Sequence, residues 1–206
     1  MTIVAASKGQ PAADIRALYD MGLQNCGENY LQDALPKITA LADCDITWHF
    51  IGPVQSNKTR DIALHFDWVQ SIDRLSIAQR LSAQRPDSLP PLQVMLQVNI
   101  GAESAKSGVA MQEAAGFCNE IMQLPRLQLR GLMTIPPAEA LSERQRVHFD
   151  AMRNLQRNLL ENGLPVTELS MGMSADLVQA IAAGATMVRP GTALFGPRPS
   201  KTGLAR

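Results

Sequence analysis

The chain has 206 residues, which is enough for one sizeable hydrophobic core or at most two small domains. Its 19 lysines and arginines are balanced by 19 aspartates and glutamates, and no long run of like charge occurs. This balance argues against nucleic acid and against an anionic membrane surface as partners.

No segment of the sequence is long and apolar enough to predict a spanning helix. Residues 1–7 are apolar, but this stretch is also too short for a signal peptide. The three cysteines, Cys26, Cys44 and Cys118, are odd in number and lack the spacing of a metal site. They are typical of reduced thiols in the core of a cytosolic protein. We therefore expect a cytoplasmic protein with no metal site.

Eight strand-like segments alternate with helical patterns along the chain. The predicted strands are residues 3–7, 25–27, 47–51, 68–71, 93–99, 128–134, 167–170 and 186–189. The predicted helices are residues 12–21, 31–42, 58–65, 74–84, 111–124, 142–162 and 177–183, with a remnant after the eighth strand. Such alternation favours a parallel sheet, and its closure predicts an α/β fold, a single-domain (β/α)8 TIM barrel over residues 1–206. A doubly wound open sheet is the alternative, because a single sequence does not determine the strand count.

Two turns rich in glycine, serine and threonine follow the last two predicted strands. Residues 170–176 read Ser-Met-Gly-Met-Ser-Ala-Asp, and residues 189–196 read Arg-Pro-Gly-Thr-Ala-Leu-Phe-Gly. Ser174 or Asp176 is suited to cap the helix at 177–183, which Gly184 then ends. In a TIM barrel, the loops after strands seven and eight bind phosphate through backbone N–H groups and hydroxyls. The position therefore favours a phosphate site over two ordinary turns.

Other strand ends carry further candidate side chains. Lys8 directly follows the apolar run of the first strand. It is either a solvated lysine or, beside a phosphate site, an amine that attacks an aldehyde to form an imine. Asn29 follows the second strand, where it serves either a ligand oxygen or the cap of the next helix. His49 lies within the apolar third strand and is interpreted as a hydrogen-bonded core histidine.

In combination, these segments resemble the pyridoxal 5′-phosphate homeostasis proteins of the YggS/PROSC type over nearly the whole chain. The matching segments are Ala6-Ser7-Lys8, Gly27-Glu28-Asn29-Tyr30, His49-Phe50-Ile51-Gly52 with Gln55, Asn57 and Lys58, Gln97-Val98-Asn99, Gly131-Leu132-Met133-Thr134-Ile135, Ser170-Met171-Gly172-Met173-Ser174-Ala175-Asp176, Val188-Arg189, Gly191 and Phe195-Gly196. No single segment is specific enough alone, but the set is.

The resemblance implies a barrel like the N-terminal domain of alanine racemase that carries pyridoxal 5′-phosphate. Lys8 matches the lysine that forms an imine with this cofactor, and Arg189 matches the arginine that faces its pyridine nitrogen. The residues that match the phosphate-binding groups are Ser174, Gly191 and Thr192, with Met173 in the same turn. Asn29 is expected to line the pocket of the ring. Family members carry a helical segment before the lysine strand, whereas seven residues precede Lys8 here, so we expect a barrel that lacks this helix.

The resemblance leaves two functions open. The first is a carrier that binds the cofactor through a lysine imine and buffers or delivers it to apo-enzymes that depend on it. The alternative is a cofactor-dependent amino-acid racemase, which needs acid and base groups on both faces of its planar intermediate. In alanine racemase the second base comes from a separate domain, for which this chain has no room. The two tyrosines, Tyr19 and Tyr30, lie in helical or pre-helical segments rather than at a strand end, so we favour a carrier without catalytic residues, and we expect a monomer.

Overall fold

All strands in the described part of the protein belong to one parallel sheet. The structure, a computed structural model, describes residues 1–101, 107–137 and 142–197. The strands are β1 (Thr2–Ile3), β2 (Ala5–Ala6), β3 (Asn25–Glu28), β4 (Thr47–Phe50), β5 (Trp68–Ile72), β6 (Leu92–Gln97), β7 (Leu127–Met133), β8 (Glu168–Ser170) and β9 (Met187–Val188). They follow one another in the order β1-β9-β8-β7-β6-β5-β4-β3-β2, and every neighbouring pair is parallel.

The first strand closes this sheet into a barrel. Its two halves, β1 and β2, are separated only by Val4, and β1 pairs with β9 while β2 pairs with β3. The backbone continues both pairings, because the Val4 N–H donates to the Val188 carbonyl and the Ser7 N–H donates to the Gly27 carbonyl. The predicted eight-stranded barrel is confirmed. The alternative of an open sheet is wrong, because the first strand pairs with both β9 and β3 and so joins the two ends of the sheet.

Helices connect the strands, as the alternating pattern predicted. They are α1 (Ala12–Asp20), α2 (Leu31–Ala40), α3 (Thr59–His65), α4 (Leu75–Gln84), α5 (Ala114–Met122), α6 (Ser142–Glu161), α7 (Leu177–Ala182) and α8 (Thr192–Phe195). Short 3-10 turns, Ser56–Lys58 and Met111–Glu113, precede α3 and α5. None of the helices in the described ranges combines the length and the apolar character needed to cross a membrane.

Two hydrophobic clusters reflect the two faces of the barrel strands. Side chains alternate along a strand, so neighbours on β6 point to opposite sides. Val94 belongs to a large cluster that includes helix residues, whereas Met95 packs in a small cluster with Met133, Met187 and Trp68. The small cluster therefore fills the barrel interior, and the large cluster lies between the sheet and the helices.

The three cysteines are free thiols. Cys26 and Cys118 are buried, and burial raises the pKa of both thiols to about 12, which keeps them protonated. Cys44 is half-buried, and its sulfur accepts a hydrogen bond from Arg16 Nη1 at 3.2 Å. The predicted core location is confirmed for Cys26 and Cys118, while Cys44 lies at the edge of the core.

Candidate functional site

A cavity of about 340 Å³ opens at the carboxyl ends of the barrel strands. Its lining includes Lys8, Asn29, Met173, Ser174, Arg189, Gly191 and Thr192, together with Ala6, Ile51, Ile135 and Ala175. All seven residues that the sequence analysis assigned to a ligand are thus brought together in one cavity. Loops after several different strands contribute to it, which is how a TIM barrel builds a binding site.

A single hydroxyl joins the two turns that follow β8 and β9. Ser174 Oγ accepts a hydrogen bond from the Gly191 N–H at 3.0 Å and another from the Ala193 N–H at 3.1 Å. Both N–H groups lie at the amino end of α8, where they have no partner within the helix. These two donors and the hydroxyl therefore lie together at the carboxyl end of the barrel.

The helix caps differ from the prediction made for Ser174 and Asp176. Asp176 occupies the N-cap position of α7, but its side chain makes no capping bond there. Its Oδ1 instead accepts from the Met173 N–H at 2.5 Å, which tightens the turn after β8, and Ser174 caps the neighbouring helix α8. The prediction that either residue caps α7 is therefore wrong, because tertiary partners use both side chains. The predicted end of α7 at Gly184 is confirmed by the positive φ of 94° at that glycine.

Arg189 places a buried guanidinium at the inner wall of the cavity. The residue is only 4% exposed. Its Nη1 donates to Ser170 Oγ at 2.5 Å and its Nη2 donates to the Thr134 carbonyl at 2.8 Å. Burial lowers the pKa of Arg189 to about 10, and the carboxylate of Asp176 partly offsets that effect. The group is therefore protonated at neutral pH.

A line of buried polar side chains runs from Arg189 across the barrel interior. Ser170 Oγ lies 2.6 Å from Gln70 Oε1, and Gln70 Nε2 lies 3.0 Å from His49 Nδ1. His49 Nε2 lies 3.0 Å from Asn25 Oδ1, at the start of β3. His49 is fully buried, and burial lowers its pKa to about 3, so the ring is neutral. The interpretation of His49 as a hydrogen-bonded core histidine is confirmed.

The amine of Lys8 lies against the ring of Tyr30. Lys8 Nζ is 3.4 Å from Tyr30 Oη and 4.6 Å from the centroid of the ring. An ammonium is attracted to an aromatic face, so this contact keeps the amine at the mouth of the cavity. Tyr19 lies elsewhere, since its hydroxyl accepts from the Asp45 N–H just before β4, at the opposite end of the barrel.

A buried ion pair holds the peptide that precedes Lys8. Lys37 Nζ, on α2, donates to Glu28 Oε1 at 2.6 Å and to the Ser7 carbonyl at 2.9 Å. Ser7 Oγ also donates to Glu28 Oε1, at 2.6 Å. Glu28 and Ser7 are both fully buried. The end of the first strand is thus fixed through its carbonyl and its side chain, which fixes the base of the Lys8 side chain.

The backbone of Gly52 packs directly against the backbone of Asn29. A Cβ at position 52 would overlap the backbone carbonyl of Asn29. The Gly52 carbonyl in turn accepts a hydrogen bond from Ser71 Oγ at 2.5 Å. Only a glycine allows this close approach of two strand ends.

Comparison with known proteins agrees with this geometry. The model of the alanine racemase N-terminal domain family matches residues 5–199. A pyridoxal phosphate homeostasis protein from Pseudomonas aeruginosa is 55% identical over 196 residues, which cover 95% of this chain and 84% of that protein. The chain belongs to the family of pyridoxal phosphate homeostasis proteins. The resemblance inferred from the sequence is confirmed.

Two further relatives support the family and the fold. The pyridoxal phosphate homeostasis protein of Escherichia coli is 47% identical over 204 residues, covering 96% of this chain and 86% of that protein. PipY from Synechococcus elongatus, solved with PLP bound, has a TM-score of 0.88 at 37% identity and covers 95% of this chain and 92% of its own. A relative of the same fold therefore holds this cofactor.

Several residues of the site escaped the sequence analysis. The sequence analysis placed Tyr30 before a helix and away from a strand end, whereas it stands two residues beyond the end of β3 and contacts Lys8. Ser170 lies between Leu169 and Met171, and Gln70 lies within the buried strand β5. A polar residue in such a segment indicates a buried partner. The sequence does not show that Ser170 and Gln70 are hydrogen-bond partners, because they are 100 residues apart in the chain.

Proposed function

We propose that this protein binds pyridoxal 5′-phosphate in the cavity at the carboxyl ends of its strands and serves as a carrier in the homeostasis of that cofactor. The observation that supports this function best is the joint presence of three groups around one cavity. These are the amine of Lys8, the buried guanidinium of Arg189 and the N–H groups that meet at Ser174. An aldehyde, a ring nitrogen and a phosphate are the features of the cofactor that such groups recognise.

The turns after β8 and β9 fit the phosphate. The amino end of α8 offers the N–H groups of Gly191 and Ala193, and the Ser174 hydroxyl now occupies both of them. A phosphate oxygen forms the same kind of bonds, while the hydroxyl turns to donate to it. Thr192 adds a second hydroxyl at the edge of the cavity, and Met173 covers the turn.

Arg189 fits the edge of a pyridine ring. Its guanidinium is protonated and donates two hydrogen bonds into the barrel, which leaves its other N–H groups for a ligand. A protonated arginine donates and does not accept a proton, so it favours an unprotonated ring nitrogen. The ring is then a weaker electron sink than one paired with a carboxylate. This suits a protein that holds the cofactor without turning over a substrate, with Asn29 on the adjacent wall.

Lys8 fits the reactive end. When bound, pyridoxal phosphate supplies an aldehyde that condenses reversibly with a primary amine and releases one water molecule. Lys8 provides that amine at the cavity mouth, and the ion pair of Glu28 and Lys37 fixes the peptide before it. Release to an apo-enzyme requires only that water or another amine reaches the cofactor carbon that is bonded to Lys8. We place this exchange with cofactor-dependent apo-enzymes in the cytoplasm and assign it to a monomeric, single-domain protein.

One observation supports amino-acid racemisation as a second candidate. The hydroxyl of Tyr30 stands 3.4 Å from the Lys8 amine, so a second titratable group lies beside the reacting atom. A racemase needs such a group on each face of its substrate. Assaying the two enantiomers of alanine with the loaded protein and with its Tyr30→Phe variant decides between the functions. If the protein is a carrier, neither the loaded protein nor its Tyr30→Phe variant should interconvert the two enantiomers.

Reduction with borohydride tests the binding proposal directly. The purified protein is mixed with pyridoxal phosphate, reduced, digested and mapped by mass spectrometry. A stoichiometric pyridoxyl adduct at Lys8 is expected, and the Lys8→Ala variant is expected to lose it. Lys58 lines a neighbouring cavity with Asn29 and Tyr30 but not the cavity that holds Lys8, so Lys58→Ala serves as the matched control and retains the adduct at Lys8. A folded protein whose Lys8 stays unmodified would contradict the proposal.

A further inference from the structure

With the amides of Gln70 and Asn25 oriented as the structure has them, the line of buried side chains behind Arg189 has one consistent arrangement of hydrogens. Arginine has donors and no acceptor, so Ser170 Oγ must accept from it and must give its own hydrogen to Gln70 Oε1. The amide of Gln70 then presents its NH₂ to His49 Nδ1, which accepts. The remaining ring hydrogen lies on Nε2 and is donated to Asn25 Oδ1. Every donor along this relay points away from the cavity.

In the described part of the chain, Arg189 donates to Ser170 and to the Thr134 carbonyl, and no carboxylate is in direct contact with it. The carboxylate of Asp176 acts on the charge of Arg189 without a hydrogen bond to it. Its two oxygens are used by the Met173 N–H at 2.5 Å and by Gln145 Nε2 at 2.8 Å. The direction of the guanidinium therefore depends on Ser170 and on the Thr134 carbonyl. Since a hydroxyl rotates freely, Ser170 is directional only because Gln70 takes up its hydrogen.

We infer that Ser170, Gln70 and His49 are positioning residues, which orient Arg189 toward the ring nitrogen of the ligand through a one-way hydrogen-bond relay. This inference rests on the proposed function, because the ligand is taken to be pyridoxal phosphate. All three side chains are fully buried, and Gln70 and His49 lie outside the cavity lining. An effect of Gln70 on ligand recognition would therefore pass through Ser170 and Arg189.

A pair of ligands that differ only at the ring nitrogen isolates this effect. Pyridoxal phosphate is compared with its 1-deaza analogue, in which a carbon replaces that nitrogen while phosphate and aldehyde remain. We expect the wild-type protein to prefer the natural cofactor by about tenfold, as one hydrogen bond from a charged donor provides. Gln70→Leu and Ser170→Ala should reduce this preference to about twofold or less while binding of the analogue stays unchanged. Met95→Leu alters the same barrel interior without a polar group and should keep the full preference.

A second readout needs no ligand. Nitrogen NMR of the unliganded protein should show His49 as the single tautomer protonated at Nε2. In the Ser170→Ala variant Gln70 loses its link to Arg189 and its amide is free to turn over, so the tautomer protonated at Nδ1 should appear. Gln70→Glu keeps the acceptor for Ser170 but removes the donor to His49, so it should give a protonated Nδ1 throughout while keeping the preference for the natural cofactor. Ser170→Ala carries the ligand test alone if Gln70→Leu does not fold.

The outcomes separate the two proposals. If the wild-type protein forms no adduct with either aldehyde, the proposed function fails and the positioning role falls with it, whatever the NMR shows. If it binds the cofactor at Lys8 but does not discriminate against the analogue, or if Gln70→Leu and Ser170→Ala discriminate as well as wild type, only the positioning role is overturned. A wild-type His49 protonated at Nδ1 would also overturn the relay.

Discussion

Ser174 Oγ lies 3.0 Å from the backbone nitrogen of Gly191, so one side chain on the turn after β8 holds the turn after β9. The same oxygen accepts from Ala193 at 3.1 Å and thereby caps α8. Two turns that are 17 residues apart in the chain form one unit through this atom.

Replacing this hydroxyl should weaken both binding and stability. In Ser174→Ala the N–H groups of Gly191 and Ala193 lose their acceptor, and a bound phosphate loses one donor. The variant also frees the two N–H groups from the serine oxygen, which competes with phosphate for them. The loss of a hydroxyl donor to the phosphate dianion outweighs this gain, so affinity for inorganic phosphate and for pyridoxal phosphate should fall about threefold to tenfold. The lost cap should lower the free energy of unfolding by about 0.5–2 kcal/mol.

Calorimetric titration and urea unfolding measure these two effects. Ser76→Ala, at an exposed serine on α4, is the matched control and should change neither. Unchanged phosphate affinity in Ser174→Ala would show that the hydroxyl belongs to the cap alone.

The ion pair of Glu28 and Lys37 should be costly to break. Lys37→Met leaves the fully buried Glu28 carboxylate without its cation, and such a change costs about 3–5 kcal/mol of unfolding free energy. Removing both charges with Glu28→Gln and Lys37→Met together should restore much of that loss. Urea unfolding at neutral pH provides the measurement.

The matched control for this pair lies on the surface. Asp87→Asn removes the partner of Arg126 at a carboxylate whose side chain is 88% exposed, so less than about 1 kcal/mol should be lost. A Lys37→Met variant as stable as Asp87→Asn would contradict the role given to the buried pair.

A methyl group at position 52 should disturb the cavity without touching a ligand. In Gly52→Ala the new Cβ meets the carbonyl of Asn29, so the two strand ends must separate. We expect a loss of about 1–3 kcal/mol in unfolding free energy and weaker binding of pyridoxal phosphate. Gly116→Ala on α5 is the control, because a Cβ there meets nothing within 4 Å and a helical alanine should stabilise by about 0.5–1 kcal/mol. Equal stability of the two variants would refute the account of Gly52.

His49 should make the protein less stable in mild acid. Its pKa is about 3 in the folded protein, against 6.5 for a free histidine. Between these values the unfolded chain binds one more proton, so the free energy of unfolding falls as the pH is lowered from about 6.5 toward 3. The slope attributable to this residue is at most about 1.4 kcal/mol per pH unit.

Urea unfolding at pH 7 and at pH 5 measures this contribution. His49→Gln should flatten the dependence on pH, whereas His65→Gln, at an exposed position on α3, should leave it unchanged. The assignment is wrong if the His49 and His65 variants show the same dependence.

Much of the fold followed from local patterns. Apolar runs of strand length alternate with helical periodicity, so the strand and helix order of the barrel was predictable with ends displaced by a few residues. The residues that line the cavity were also predictable from the sequence, because parallel strands of one barrel bring all their carboxyl ends to one side. Lys8, Arg189 and the glycine-rich turns needed only to stand directly after a strand.

The tertiary structure alone decided which partners those residues meet. Spacing suggested Ser174 as a cap for α7, yet its hydroxyl faces α8, because the two turns are adjacent in the closed barrel and not along the chain. Likewise, nothing near Arg189 in the sequence indicates Gln70, whose link to Ser170 spans 100 positions. A buried polar group bonds to whatever the closed sheet places within about 3 Å. That distance depends on strand register and barrel closure, which are properties of the assembled chain and not of any one segment.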